Sequence, residues 1–410
     1  MLAINDALNQ VLDEAKKINA KRKIIVDNIP IEESLGLTLA KDQISHIDVP
    51  PADNSAMDGY AINCDALSIN ETTNEQNTEP TKFIISQTIA AGSVPQKLLK
   101  GTAARILTGA EIPDGANAVV MQEQCEIKDN TVIIPAGIAK HNNIRACGQD
   151  IKIGDRILEQ GHALRPQDIG LLASIGIASV PVFRPLTVAI LSTGDELVEP
   201  GAALAAGKIY NSNRYLLKGF LKKLNMNIID LGVVKDNLDA TKASLIKAAA
   251  TADCIISTGG VSVGDEDHVK RAVTELGVLD VWRIALKPGK PLAFGAIDNT
   301  PFFGLPGNPV STFVTFLLFV KPFLSLQQGQ LNNGPSTTLL TANFSVKANP
   351  KRQEYARVRR EKGGLELFAN QSSGVLSSVV QADGLAVIPV GQAINVGDTI
   401  EYISFDEFYR

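Results

Sequence analysis

Leu186-Thr187-Val188-Ala189-Ile190-Leu191-Ser192-Thr193-Gly194-Asp195-Glu196 is a largely apolar run that ends in small hydroxyl residues, a glycine and two acids. Cys254-Ile255-Ile256-Ser257-Thr258-Gly259-Gly260 repeats the design and continues through Val261-Ser262-Val263-Gly264-Asp265-Glu266-Asp267. Short apolar runs bounded by turn residues read as strands buried on both faces, the kind found in parallel sheets. The neighbouring segments agree. Asn213 to Leu224, Ala240 to Ala250, Asp267 to Leu276 and a segment from Val310 have helical spacing. Ile228 to Val233, Val281 to Ala285, Leu292 to Ala296 and Pro301 to Gly304 read as strands. Alternating strand and helix predicts a parallel or mixed sheet with helices on both faces.

On the N-terminal side the texture changes. Phe83 to Gln87, Ala103 to Leu107, Ala118 to Met121 and Thr131 to Pro135 read as strands, and the polar tract Asn70 to Thr81 as a solvated loop. This is a mostly-β unit, followed by a helix opening at Leu164-Arg165-Pro166-Gln167-Asp168. At the start of the chain, Ile4, Leu8, Val11, Leu12, Ala15 and Ile18 have helical spacing with charges between them, which is no signal peptide. After Asn332-Asn333-Gly334-Pro335, Phe344-x-Val346, Tyr355-x-Arg357, Leu365-x-Leu367 and Ile400-x-Tyr402 alternate, predicting a small β-barrel or sandwich.

Composition narrows the function. With 410 residues the chain buries ample core and needs no staples. Its net charge of −5 is the wrong sign for coating nucleic acid. Cys64, Cys125, Cys147 and Cys254 form no C-x-x-C pair and read as buried small hydrophobes in a reducing compartment. The most apolar stretch, Val310 to Val320, is too short to span a bilayer and stops at Lys321-Pro322. These features predict a soluble cytoplasmic protein without membrane or nucleic-acid partners.

Parallel sheets bind ligands beyond the carboxyl ends of their strands. Both quoted loops sit at such ends, with exposed amides and carboxylates suited to phosphate and Mg²⁺. Neither is a dinucleotide fingerprint or a Walker A loop. Ala285-Leu286-Lys287-Pro288-Gly289-Lys290-Pro291 flanks a Pro-Gly turn with two lysines and reads as an anion clamp or as a solvated turn. Gly304-Leu305-Pro306-Gly307-Asn308-Pro309-Val310-Ser311 turns tightly into a helix whose amides and serine suit the same anion. PPADNSAMDGYA (50–61) is a stiff segment dense in polar groups.

Together with RILTGAEIPDGANAVVMQE (105–123), NIRACGQDI (143–151), LRPQDIGLLASIG (164–176), QADGLAVIP (381–389) and NVGDTIEY (395–402), these segments resemble the molybdopterin molybdenumtransferases of the MoeA type, including the gephyrin C-terminal domain. The motifs occur in the family's order over essentially the whole chain. Asn117 and Gln149 depart from it, standing where acids are expected, and Arg283 stands where lysine is frequent.

The resemblance implies a multidomain α/β plus β fold. Its parts are an N-terminal helix (1–26) packing on the α/β domain, a bridging domain (27–45 and 149–179), a β-rich lobe (46–148), a molybdopterin-binding three-layer α/β domain (180–331) and a C-terminal β-barrel (332–410). It implies insertion of molybdenum from molybdate into adenylylated molybdopterin with Mg²⁺-dependent release of AMP. It also implies a homodimer whose site is shared between subunits, and an encounter with the adenylyltransferase of the preceding step. By resemblance, Asp58, Glu196, Asp267 and Lys287 are catalytic, and Glu196, Asp236 and Asp267 hold Mg²⁺. Thr108, Asp150, Ser192, Thr193, Gly194, Ser257, Gly259, Gly260, Ser262, Lys290, Pro291, Ser311, Arg352 and Ser373 bind substrate, with Arg357 the alternative to Arg352. Two rivals are weaker: the adenylyltransferase itself, a single compact domain, and a scaffold without turnover, which would not need both lysines and these acids.

Overall fold

A computed structural model describes residues 1–21, 25–67, 79–259, 268–331, 334–361 and 363–408. Four strands, Asn227–Val234, Thr187–Thr193, Cys254–Thr258 and Thr300–Leu305, lie parallel in that order. Pro291–Ile297 and Gly277–Arg283 extend the sheet antiparallel. Strand periodicity sends alternate side chains to opposite faces. Val188, Ile190, Ile256 and Phe303 pack on one face with Leu217 and Phe220 of the helix Ser212–Lys223. Ala189, Leu191, Ile255 and Phe302 pack on the other, with Leu245 and Val273 of two further helices. Covering both faces explains the unbroken apolar runs. Truncating a side chain such as Phe303, which is fully buried, costs about 3–5 kcal/mol.

Two expectations need correction. The strand predicted from Val281 begins at Gly277, because antiparallel pairing with Pro291–Ile297 carries it back over exposed Val278. The helix from Pro309 does not stop at Lys321-Pro322 but runs to Gln327 through a π turn at Phe316–Val320. A proline inside a helix has no N–H to donate and presses on the carbonyl four residues earlier, here Leu318. Widening the helix at that point accommodates it. The whole Pro309–Gln327 helix is long and apolar enough to cross a membrane, yet 89% of its most apolar window is buried inside the protein. It is the core helix of the α/β domain, and Ala7, Val11 and Ala15 of the first helix, Ile4–Lys21, join the same core.

The C-terminal strands Thr338–Thr341, Gln353–Glu361, Gly364–Leu367, Gly384–Ile388 and Thr399–Ser404 form one sheet, and a bridge from Ala342 to Leu365 closes it into a barrel. Gly384–Ile388 was not among the expected strands. Leu385 and Val387 face the α/β core while Ala386 and Ile388 face the barrel core, so no polar alternation marks it. Phe344-x-Val346 is no strand: Val346 makes only an isolated bridge to Ile394.

The lobe is a six-stranded sheet ordered 118–121, 59–62, 102–106, 81–89, 131–134, 126–128. Most of the polar tract expected as a loop there lies outside the described residues. Between lobe and α/β domain, Val26–Pro30 pairs with Ser179–Phe183 and Gln43–Ile44 with Arg156–Leu158. That pairing carries the bridging segment a few residues past 179.

Candidate functional site

The parallel strands end together on one edge. Ser192 and Thr258, on neighbouring strands, share a hydroxyl hydrogen bond of 3.0 Å. Gly259 follows at φ 85°, and a Cβ there would lie 2.7 Å from the Thr193 carbonyl, so only glycine lets the two loops touch. Its N–H donates to Leu305 O at 3.3 Å, which ties in the third strand end. Ser257 is fully buried below this edge, its hydroxyl without a partner. The Glu196 carboxylate lies against Gly194. Asp236 follows the Asn227–Val234 strand and is exposed. Neither acid has an ion-pair partner among the described residues. Gly260, Ser262 and Asp267 lie outside the described residues.

Beside this edge, a cavity of about 640 Å³ opens between the α/β domain and the barrel. Lys287, Lys290, Pro291, Ser311, Arg352 and Ser373 line it, and Gly259 joins it to the strand edge. Four separated segments deliver these groups, and local contacts fix them. The lysine turn presses on the core helix: Gly289 has φ 111°, and a Cβ there would meet Thr315 Oγ1 at 2.7 Å. Ser311 sits in the first turn of that helix, where the Val310 N–H donates to the Ser373 carbonyl at 3.0 Å. The Arg352 N–H is held by Asn349 Oδ1 at 3.1 Å.

The two lysines are not equivalent. Leu286–Lys287 pairs in parallel with Gln353 and Glu354 of the barrel. This sets Lys287 Nζ 2.8 Å from the Glu354 carboxylate, whose side chain is only 7% exposed. The charge of Lys287 is thus largely spent on a buried acid. Lys290 is exposed and has no ion-pair partner among the described residues. Sequence reading missed Glu354, although a buried-phase acid between Arg352 and Tyr355 was the available signal. It also missed Asn308 and Gln371, both in the cavity wall. Arg357, the alternative to Arg352, is 1% exposed and does not line the cavity.

The remaining acids lie elsewhere. In the lobe, Asp58 Oδ1 accepts from the Thr108 N–H and hydroxyl, each at 2.7 Å. Those bonds, then the Arg105 charge, hold Asp58 below the usual carboxylate range. Asp150 is an exposed residue whose N–H donates to Val49 O. None of these acids lines the cavity, and no described cluster of three His, Cys, Asp or Glu side chains could hold a metal. The cysteine reading also needs correction. Cys64 and Cys254 are buried, but Cys125 is half-buried and Cys147 exposed. Burial pushes the Cys254 thiol far up and Cys125 to about 11; Cys147 is raised too, by desolvation and then by Asp48.

Comparison with known proteins covers the chain in three blocks. Residues 2–176 match the MoeA N-terminal region (domain I and II), 189–326 a probable molybdopterin binding domain, and 340–405 the MoeA C-terminal region (domain IV). A molybdopterin molybdenumtransferase of Haemophilus influenzae is 39% identical over 384 residues, 92% of this chain and 93% of that one. One from a Nostoc species is 33% identical over 404 residues, 96% of this chain and 91% of that one. The molybdopterin biosynthesis MoeA protein of Pyrococcus horikoshii superposes with a TM-score of 0.83 at 29% identity, covering 99% of this chain and 100% of that one.

Proposed function

The chain belongs to the MoeA family, the molybdopterin molybdenumtransferases of molybdenum cofactor biosynthesis, and from that premise we propose that it moves molybdenum from molybdate into adenylylated molybdopterin with release of AMP. The observation that carries this reading is the cavity between sheet and barrel, lined by cations and hydroxyls. Molybdate is a tetrahedral dianion. Lys290 and Arg352 supply charge, Ser311 and Ser373 supply hydroxyl donors, and charge-assisted hydrogen bonds are the strong kind. Lys287, tethered to Glu354, marks the floor with a weakened charge. Among the described residues no carboxylate lines the cavity to repel the anion.

The adenylylated pterin phosphates belong on the strand edge. Gly194 and Gly259 follow Thr193 and Thr258 there, Gly259 next to the cavity, and glycine lets a phosphate approach the backbone closely. Glu196 and Asp236 suit Mg²⁺: they are hard oxygen donors after adjoining strands with no ion-pair partner among the described residues, and Mg²⁺ is held by one or two carboxylates plus substrate phosphates. Asp267, by resemblance, completes that set. When bound, the ion supplies charge neutralisation on the phosphate oxygens as the anhydride breaks.

Asp58, kept ionised by Thr108, has Oδ2 left to orient water or pterin. It lies in the lobe and does not reach the cavity of its own chain, so the reading requires a homodimer in which the partner's lobe closes the site. Free thiols suit a cytoplasmic setting. AMP release from adenylylated molybdopterin, followed against molybdate concentration, tests the proposal. Release that requires molybdate and Mg²⁺ supports it. Consumption of ATP with free molybdopterin points to the preceding adenylylation instead, and binding of the adenylylated pterin without turnover points to a scaffold.

A further inference from the structure

Arg357 is among the largest fully buried side chains of the described residues, and the reaction described above gives it no role. It projects from the Gln353–Glu361 strand behind the wall formed by Gln371, Ser372 and Ser373. Its Nη2 donates to the Ser372 carbonyl at 3.2 Å and its Nε to Ser378 Oγ at 3.2 Å. The backbone of the same residue grips Gln371. The Arg357 N–H donates to Gln371 Oε1 at 3.0 Å, and Gln371 Nε2 donates back to the Arg357 carbonyl at 2.9 Å. The next carbonyl along the wall, that of Ser373, accepts from the Val310 N–H. The Ser372 and Ser373 carbonyls are therefore engaged by groups that do not line the cavity.

That arrangement has an electrostatic consequence. A carbonyl oxygen turned toward a dianion repels it, whereas an N–H or hydroxyl attracts it. We infer that Arg357 is a positioning residue for oxyanion binding: it holds the Ser372 carbonyl and the Gln371 side chain on its own side of the wall, so that neither is turned on the anion. Its charge works in the same direction. Both hydrogen bonds of the guanidinium go to neutral acceptors, and the carboxylate acting on it, Glu354, is committed to Lys287. Two cations and one anion leave net positive charge beneath the site. Burial brings the guanidinium down only to about 10, partly offset by Glu354, so it stays charged at neutral pH.

The inference rests on the cavity being the molybdate site. The experiment measures molybdate affinity by calorimetry, and kcat and KM for molybdate by AMP release. It uses the unaltered protein, Arg357→Met, Arg357→Lys and Ser378→Ala. Arg357→Met should raise the molybdate Kd and KM about tenfold or more, while kcat at saturating molybdate and the Kd for adenylylated molybdopterin stay within about twofold. Arg357→Lys keeps the charge without the two-point grip and should fall between, and Ser378→Ala should show a smaller shift of the same kind. If Arg357→Met does not fold, the other two variants decide by the same readout. Unchanged molybdate KM in folded variants, or a fall in kcat with KM unchanged, overturns the inference and leaves the cavity reading intact. No molybdate binding by the unaltered protein overturns both.

Discussion

In the cavity between sheet and barrel, Lys290, Ser311, Arg352 and Ser373 converge within one chain from four separated segments, pinned by backbone hydrogen bonds. In the β-rich lobe, Asp58 is held by Thr108 with the Arg105 charge near it, and no metal-ligand cluster lies beside it among the described residues. Fixed donors and charge cost no reorganisation when an anion arrives, so the first region is ready to bind on its own. An ionised carboxylate that already holds two hydrogen bonds binds nothing until another surface is brought to it. The contrast teaches that the proposed anion site is assembled within one chain, whereas the proposed chemical one needs a second surface.

The sharpest way to break that contrast is to separate the two halves genetically. Asp58→Ala should lower AMP release on the order of a hundredfold while molybdate still binds normally. Mixing Asp58→Ala chains with Glu196→Ala chains should return part of the activity, because a mixed dimer holds one intact site. If exchange of subunits is confirmed and no activity returns, the lobe does not complete a partner's site.

Next in size is the free lysine. Lys290→Ala should weaken molybdate binding about ten- to hundredfold and leave adenylylated molybdopterin binding unchanged. High molybdate should then restore much of the turnover, since mass action offsets lost affinity but not lost chemistry. Collapse of pterin binding with molybdate dependence unchanged would make Lys290 a phosphate ligand.

The tethered lysine should behave differently. Lys287→Met strands Glu354 in a buried position and should cost about 2 kcal/mol of stability, less than a fully buried pair because the lysine is partly exposed. Thermal melts of Lys287→Met and Lys290→Met decide it. Equal melting temperatures would mean that the Glu354 pair carries no load.

A smaller effect lies in the bridging segment between the two regions. Asp168 is buried, which alone raises its pKa, but Arg165 and His162 overcome this and bring it down to about 2. A folded value below the unfolded one, 3.8, stabilises above pH ~4 and is lost as pH falls toward 2, on the order of 1–2 kcal/mol with an exposed arginine as partner. Acid unfolding of Asp168→Asn should begin from a lower stability and be flatter between pH 4 and 2; an unchanged profile removes Asp168 from the acid response. Least of all, Cys254→Ala should change turnover by less than about tenfold, since a thiol held protonated by burial is no nucleophile.

The sheet was legible because burial on both faces writes itself as unbroken apolar runs: Val188 to Leu191 and Cys254 to Ile256 stand where the sequence places strands. The strand Gly384–Ile388 was illegible for the same reason, since a short apolar run whose two faces enter two different cores shows no polar phase. The lysine turn and Ser311 stood out in the sequence as charge and hydroxyl beside rigid turns, and the structure brings both to one cavity.

What the sequence determined by itself is therefore the order of the elements and the kinds of groups at their ends, for these depend on local periodicity and turn chemistry. Which groups meet was decided only by the tertiary structure. Lys287 and Lys290 look alike in the chain, yet the pairing of Leu286–Lys287 with the barrel puts one of them on Glu354 and leaves the other free. Arg352 and Arg357 stand in one strand region, yet the barrel turns one to the cavity and buries the other behind its wall. Such choices rest on contacts between residues far apart in sequence, and a pattern of neighbours along the chain does not contain them.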